Sequence, residues 1–261
     1  MENYIITIFI FVLGLIIGSF LNVVIHRVPL KTMFKNSRSE CPKCLSQLKW
    51  YHNIPLLSYL FLGGKCAFCK EKISMRYPLV ELLNSLAYGL FFLKFGMTSN
   101  FVVFSLIMSA LIVIFFIDLD HQIIPDVITL PGILVGLAVS FLADGIGILN
   151  AFIGFLVGGV SLYLVALLGE YLFKKEAMGG GDIKMAAMLG AFLGWQKVLL
   201  IFMLSSVVGL VISIAIMTVS AKLRKERLIP FGPFIAIAAV VAITYGDQII
   251  NFYTQNFLYR H

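Results

Sequence analysis

Two aspartates at the ends of apolar segments are the residues in this sequence best suited to acid–base chemistry. Asp118 directly follows an apolar run, and Asp182 follows three consecutive glycines, Gly179, Gly180 and Gly181. In so hydrophobic a chain, an ionisable residue at a segment mouth is a functional-site hypothesis by default. Two carboxylates and a water can hydrolyse a peptide bond, because the ionised acid deprotonates the water while the protonated acid polarises the carbonyl or protonates the leaving nitrogen. We therefore expect Asp118 and Asp182 to form a catalytic pair.

Asp118 is one of three acids in the same polar connection, and its position sets it apart. Asp120 lies further into the turn and should be better solvated, whereas Asp126 follows Pro125 and should cap the next helix. Asp118 should be the deepest of the three. Beside Asp182, glycine would let an extended substrate backbone approach the carboxylate. We expect this segment to line the substrate cleft, through Gly179, Gly180, Gly181 and Lys184.

All the cysteines of the chain fall into two Cys-x-x-Cys pairs. They are Cys41, Cys44, Cys66 and Cys69, with 21 residues between the pairs. This spacing is typical of a four-thiolate zinc ribbon. Two disulfides or four incidental buried thiols are the alternatives, although disulfides are rare in a reducing compartment. We expect structural rather than catalytic zinc, because four protein ligands leave no open position on the metal.

The elements that must position these residues are membrane helices. The chain of 261 residues is 60% hydrophobic and 13% charged, with a mean hydropathy of +0.98. A soluble domain is about half apolar and about a quarter charged. The alternation of apolar runs with short polar breaks indicates an all-α, polytopic membrane protein rather than a barrel. We predict eight spans, at about 4–25, 77–95, 101–117, 127–143, 148–172, 183–195, 197–220 and 231–252, the sixth being short for a bilayer of ~30 Å.

The distribution of basic residues predicts the orientation. Ten of the twenty Lys and Arg residues lie between Arg27 and Arg76, and placing that loop in the cytoplasm puts seventeen of the twenty on the cytoplasmic side. This is a topology signal rather than a nucleic-acid-binding surface. Both termini then lie outside, and Asp118 and Asp182 lie at the cytoplasmic face.

The chain divides into three predicted parts. Residues 1–26 form the first transmembrane helix, residues 27–76 form a small cytoplasmic zinc-ribbon-like insert, and residues 77–261 form a membrane-embedded domain of about seven helices. About fifty residues make a marginal core, so a metal that contributes folding energy would suit the insert.

Other polar and rigid features border the predicted membrane helices. Asn22 could touch a ligand at the cytoplasmic mouth of the first span, while Gly14 and Gly18 nearby favour helix packing. Glu81 lies about one turn inside the second span, and it either needs a partner such as Arg76 or a polar ligand, or is a helix-start acid. The Pro- and Gly-rich residues 229–234 predict a rigid start to the last span, which could border the cleft.

Five stretches together resemble the type IV prepilin peptidases. Residues 178–184 resemble the Gly-x-Gly-Asp signature of that family, with Gly180 at the variable position. Residues 18–27, the two Cys-x-x-Cys pairs, residues 117–126 and residues 229–234 resemble four further family motifs in the family's order. The resemblance covers essentially the whole chain.

This resemblance implies two activities in the bacterial cytoplasmic membrane. One is aspartic endopeptidase cleavage of the short basic leader of type IV prepilins or pseudopilins, with Asp118 and Asp182 as the pair. The other is N-methylation of the new amino terminus, usually phenylalanine, with S-adenosylmethionine. Residues near the cysteines would serve the methyl transfer, namely Gly64, Lys65, Glu81 and Asn22.

Three alternatives differ in what they predict. A transporter would carry its acids near the membrane midplane and show an internal repeat. Here the acids cluster at one face, and no repeat is visible. A non-enzymatic assembly protein would dispense with the aspartates. A peptidase without methyltransferase activity would cleave prepilins and leave the new amine unmodified, although the four cysteines and the motif at residues 18–27 argue against it by analogy.

Overall fold

The computed structural model describes residues 2–33, 39–41, 43–142, 144–174, 178–219 and 230–258. These residues are predominantly helical and contain no strand, only two isolated bridges between short segments. The predicted all-α class is therefore confirmed. The chain divides into two compact units, Met1–Ile117 and Asp118–His261, with the division falling inside a helix.

The first unit is organised by a close helix pair. Its helices are α1 (Glu2–Arg27), the short α2 (Leu57–Phe61), α3 (Arg76–Phe95) and most of α4 (Ser99–His121). A Cβ at Gly14 would lie 2.6 Å from Cα of Ser85, and a Cβ at Gly18 would lie 2.7 Å from Cα of Glu81. Glycine is required at both positions because the α1 and α3 backbones approach so closely. The predicted packing role of these two glycines is confirmed.

A buried polar network fixes the register of this unit. Asn84 of α3 donates a hydrogen bond to the Gly14 carbonyl of α1 at 2.8 Å. Ser109 of α4 donates to Oδ1 of Asn84 at 2.8 Å, and its hydroxyl lies 3.1 Å from that of Tyr88. Interhelical bonds of this kind satisfy polar groups that have no access to water. The network joins the three helices at defined heights.

The second unit is built around one short helix. Its helices are α5 (Asp126–Val139), α6 (Ile148–Phe173), α7 (Gly180–Leu193), α8 (Trp195–Val219) and α9 (Gly232–Tyr253). α7 packs against each of the other four. Its residues are buried on nearly all sides, including Met185, Ala186, Leu189 and Ala191. A helix that is apolar all round belongs inside a protein core.

Small residues let the neighbouring helices approach α7 closely. Gly154 of α6 packs on Gly190 with no room for a Cβ on either residue, and a Cβ at Gly136 of α5 would lie 2.9 Å from Cβ of Ala191. Such contacts permit little sliding along the helix axis, because any shift would bring side chains against backbone. α7 is therefore held in one register, and so is its first turn.

Each of the eight predicted spans overlaps one of the longer helices in the described part of the chain. Six of these helices are long and apolar enough to cross a membrane. The other two, α5 and α7, have 14 residues each. At 1.5 Å per residue, 14 residues extend only about 21 Å, against ~30 Å of hydrocarbon. The basic stretch at residues 222–227, used for the orientation, lies outside the described residues.

Candidate active site and metal centre

Asp118 is buried in the last turn of α4. The backbone N–H of Gly232, at the start of α9, donates a hydrogen bond to its carboxylate. A Cβ at Gly232 would lie 2.5 Å from Oδ2 of Asp118. No side chain fits there, so glycine is what allows the backbone donor to reach the carboxylate.

Asp182 is buried in the first turn of α7. Its carboxylate accepts a hydrogen bond from the backbone N–H of Gly179, and its own backbone N–H donates to the Gly179 carbonyl at 3.1 Å. This is the acidic half of a capping box, and the helix dipole adds to it. Oδ1 of Asp182 is buried and has no hydrogen-bond partner among the described residues. One oxygen of the carboxylate is thus held by a backbone hydrogen bond, and the other has no partner among the described residues and can bind a proton.

The side chain of Ile124 contacts a backbone segment next to each of the two aspartates. A Cβ at Gly181 would lie 2.8 Å from Cβ of Ile124, and a Cβ at Gly232 would lie 3.1 Å from its Cδ1. Gly181 directly precedes Asp182, and Gly232 donates to Asp118. The Ile124 side chain therefore packs against both of the backbone segments that hold the acids.

The two carboxylates interact electrostatically. Burial first, and the charge of Asp118 second, raise the pKa of Asp182 to about 6. Asp182 belongs to α7, outside the six long spans. Two carboxylates close enough to disfavour each other's ionisation can hold one proton between them. The pair can therefore offer an acid and a base together.

The glycines before Asp182 leave its approach open. Gly179 and Gly180 are exposed, and a Cβ at Gly180 would meet no atom within 4 Å. An extended chain could lie along this backbone next to the carboxylate.

Lys184, which we expect to line the cleft, forms an ion pair with Asp126. Its Nζ lies 2.7 Å and 2.8 Å from the two carboxylate oxygens of Asp126. The predicted cap by Asp126 is wrong, because Pro125 occupies the N-cap position and α5 begins at Asp126 itself. The Asp126 carboxylate ties the start of α5 to the first turns of α7.

The four cysteines meet in the first unit. The sulfur atoms of Cys41, Cys44, Cys66 and Cys69 all lie within 4.8 Å of one another, and the four residues form no disulfide. In a tetrahedral site with Zn–S bonds of about 2.3 Å, sulfur atoms lie about 3.8 Å apart. The Sγ atoms of Cys41 and Cys69 are 3.9 Å apart. The cluster can bind a metal ion, and its dimensions fit zinc.

Hydrogen bonds to two of the four sulfur atoms, those of Cys44 and Cys66, favour the thiolate form that a metal needs. Backbone N–H groups of Cys69 and Phe68 donate to Cys66, and Ser46 donates to Cys44. Donors directed at a sulfur stabilise its negative charge. The two Cys-x-x-Cys pairs, here called knuckles, also share a backbone conformation. The residue after the second cysteine is left-handed in both, with a φ of 57° at Leu45 and 59° at Lys70.

The residues that the resemblance connects with methyl transfer lie in two parts of the first unit. Asn22 and Glu81 border the α1–α3 seam, where Asn22 donates to the Tyr77 carbonyl at 3.0 Å. Oδ1 of Asn22 is buried without a partner among the described residues. Glu81 accepts hydrogen bonds from the Leu56 backbone N–H at 2.9 Å and from Ser19, neither of which sequence reasoning proposed.

Gly64 and Lys65 lie beside the second knuckle. Gly64 has a φ of 67°, and a Cβ there would lie 2.8 Å from the Tyr59 hydroxyl. Lys65 forms an isolated bridge with Lys72. The conformation and packing of Gly64 thus account for glycine at that position without a ligand.

Comparison with known proteins bears on both units. Residues 12–95 match the profile of the bacterial peptidase A24 N-terminal domain, and residues 105–214 match that of the type IV leader peptidase family. A prepilin leader peptidase/N-methyltransferase from Pseudomonas aeruginosa is 40% identical over 93% of this chain and 91% of its own length. The chain belongs to the type IV leader peptidase family.

Further relatives of this leader peptidase carry the same name in other bacteria. One from Aeromonas hydrophila is 37% identical over 95% of this chain and 94% of its own length, and one from Neisseria gonorrhoeae is 37% identical over 91% and 90%. No solved structure matches the chain.

Gly232 and Ile124 are the residues of this leader peptidase that sequence reasoning did not select. Gly232 contacts Asp118, and Ile124 contacts Gly181 beside Asp182, and in each case the two residues are far apart in the sequence. The rigid residues 229–234 were predicted to border the cleft, and that signal could have identified Gly232. Ile229 lies outside the described residues. For Ile124, an isoleucine in an apolar chain, the sequence carries no distinguishing signal.

Proposed function

We propose that this protein cleaves the short basic leader of type IV prepilins or pseudopilins, with Asp118 and Asp182 as the catalytic pair. The observation that carries the proposal is that two buried carboxylates from separate helices interact within one unit, beside an exposed stretch of glycine backbone. The names of the relatives supply the substrate class. An extended peptide lies along Gly179, Gly180 and Gly181 with its scissile carbonyl at the pair.

In this mechanism Asp182 is the acid and Asp118 is the base. A pKa of about 6 leaves about a tenth of Asp182 protonated at pH 7, against about a thousandth for an ordinary aspartate. Asp118 takes a proton from the attacking water, whose oxygen bonds to the carbonyl carbon. Asp182 gives its proton toward the leaving nitrogen. The products are the leader with a new carboxyl group and the pilin with a new amine.

A second reaction follows at that amine. The new amine accepts the methyl group that S-adenosylmethionine supplies when bound, and it releases one proton. The relatives' names support this step. Asn22 and Glu81 would bind the polar part of the methyl donor, because Asn22 leaves a buried oxygen unpartnered and Glu81 offers a carboxylate one helix away. Gly64 and Lys65 would shape the same region.

The remaining assignments concern the metal and the membrane. The four cysteines bind one structural Zn²⁺, which stabilises the small module at residues 27–76. The enzyme lies in the bacterial inner membrane with its active site at the cytoplasmic face and both termini outside, an orientation that the distribution of basic residues supports.

The decisive experiment compares prepilin cleavage by variants of Asp118 and Asp182 with cleavage by a variant of the neighbouring Asp120. Purified protein is incubated with a prepilin, with and without S-adenosylmethionine, and the product masses are measured. Asp118→Asn and Asp182→Asn should each lower the cleavage rate by roughly 10²- to 10⁴-fold, because an amide can neither accept nor donate the required proton. Asp120→Asn, two residues from Asp118 and exposed, is the matched control and should cleave normally.

The same experiment contains the outcomes that contradict the proposal. Full cleavage by Asp118→Asn or Asp182→Asn would remove the pair from the mechanism. A cleaved but unmethylated product from the wild-type protein with the methyl donor present would leave a peptidase without methyltransferase activity.

A further inference from the structure

Helix α2 turns an apolar face outward. Leu57, Leu60 and Phe61 lie at helical spacing on one side, and they are 51%, 71% and 86% exposed. The packed side carries Tyr59, whose hydroxyl donates to Sδ of Met75 at 2.9 Å. A helix that packs on a water-soluble module shows the opposite arrangement, with apolar residues inward and polar residues outward. The exposed face of α2 therefore suits an apolar environment.

Contacts with α3 set the height of α2. The backbone N–H of Leu56, directly before α2, donates to Oε2 of Glu81 at 2.9 Å. Glu81 lies five residues after Arg76, at the start of a helix long and apolar enough to cross the membrane. Five residues of helix rise about 7.5 Å, comparable to the interfacial layer of about 5–7 Å on each side of the hydrocarbon. If α3 crosses the bilayer from Arg76 onward, α2 lies at the depth of the membrane–water interface.

The helix to which α2 is tied also exposes apolar side chains. Met75 and Leu79, at the beginning of α3, are exposed, as are Leu82, Leu83 and Leu86 further along that spanning helix. The segment from Arg27 to Arg76 also carries ten Lys and Arg residues against two acids, Glu40 and Glu71. Such a charge balance favours a leaflet with anionic headgroups.

We propose that α2 is an interfacial anchor, which inserts Leu57, Leu60 and Phe61 into the headgroup–acyl boundary of the bilayer. The lipid is the occupant that the observations favour, because α2 is tied near the start of a helix long enough to span the membrane, that helix also exposes apolar side chains, and the segment around α2 is basic. The anchor holds the cysteine module flat against the membrane. This proposal does not depend on the catalytic assignment.

The test measures the depth of single tryptophans in the full-length protein. Trp50 and Trp195 are replaced by Phe, and one tryptophan is introduced by Phe61→Trp, or by Glu71→Trp at an exposed acid of the same module. Each protein is reconstituted in vesicles of phosphatidylethanolamine and phosphatidylglycerol with brominated acyl chains. We expect several-fold stronger fluorescence quenching with Phe61→Trp than with Glu71→Trp. Equal quenching of the two would overturn the proposal.

A second arm distinguishes lipid from the apolar helix of a protein substrate. The measurement is repeated with saturating prepilin. Unchanged quenching of Phe61→Trp supports the lipid anchor. Loss of that quenching would overturn it, since α2 would then be a docking surface for the substrate. The zinc content of each variant is measured as the folding control, and Leu60→Trp replaces Phe61→Trp if the latter loses metal.

Discussion

The cysteine cluster and the aspartate pair are two polar sites assembled by different means. Each Cys-x-x-Cys pair is shaped by its own local backbone. An isolated bridge flanks each pair, and the residue after the second cysteine of each pair is left-handed. The aspartates are held by elements far apart in the chain, since Gly232 of α9 donates to Asp118 and Ile124 packs against Gly181 of α7. The first site depends on local turns, and the second depends on helix packing.

This difference predicts that the two sites fail independently. Loss of the metal should unfold a small module whose core is marginal without it. A small steric change between helices should misplace a carboxylate and leave the fold intact. Variants of one site therefore test whether the other is unaffected.

Metal removal should have the largest effect. Chelation, or replacement of all four cysteines by Ser, should abolish methylation and make residues 39–75 sensitive to protease, because the metal contributes the folding energy of this module. Cleavage should fall by less than about tenfold, since the contacts that hold the aspartates lie in the other unit. Product masses and limited proteolysis measure both effects. If chelation left methylation intact, the module would not need its metal.

Gly232→Ala should come next, with an expected loss of about 100-fold in cleavage. The added Cβ would lie 2.5 Å from Oδ2 of Asp118, and displacement of a catalytic group by about 1 Å costs on the order of 10²-fold. Gly246→Ala on the same helix is the matched control, because its Cβ would make only an ordinary contact, 3.5 Å from the Lys197 side chain. We expect cleavage by Gly246→Ala to stay near the wild-type rate. Equal activity of the two variants would contradict the geometry at Asp118.

Ile124→Ala should lower kcat for cleavage by about tenfold with little change in KM, because its side chain spaces the segments that hold the two carboxylates. The pH profile of kcat should also change, since the apparent pKa values of a pair depend on its separation. Ile124→Val keeps the branched Cβ and should retain most of the activity.

Ile123→Ala removes an exposed neighbour of the same type and is the control for Ile124→Ala. An effect of the same size from both variants would mean that the substitutions disturb the 118–126 connection as a whole, and not the spacing that the Ile124 side chain maintains. A rise in KM with an unchanged kcat would assign Ile124 to substrate binding.

The contrast between the sites also explains what the sequence could predict. The clustering of the four cysteines could be predicted from their spacing, because each Cys-x-x-Cys pair lies in a local turn. The depth of Asp118 follows from the apolar run before it, and its burial is confirmed. The roles of Gly232 and Ile124 depend on how α9 and the 118–126 connection pack, and no local pattern encodes that packing.

The hydrogen-bond partners of two acidic side chains, Glu81 and Asp126, could not be predicted for a related reason. Glu81 is bound by the backbone N–H of Leu56, a residue held in an unusual conformation with a φ of 58°. Asp126 lies inside α5 rather than at its N-cap, and its carboxylate binds Lys184 of α7. In both cases a tertiary contact determined which group the acid binds, and sequence proximity did not.

The Asp126–Lys184 pair should give the smallest effect. The side chains are 55% and 41% exposed, and ion pairs of this kind contribute about 0–1 kcal/mol. We expect Asp126→Asn to leave cleavage within about twofold of wild type and to shift the melting temperature by no more than about 2 °C. Rates with a prepilin and thermal unfolding in detergent measure both quantities. Asp126 lies in the same connection as Asp118 but is solvated and paired, so a large loss of cleavage in Asp126→Asn would move the base from Asp118 to Asp126. Normal cleavage would show that the buried acid, and not the acidic connection as a whole, performs the chemistry.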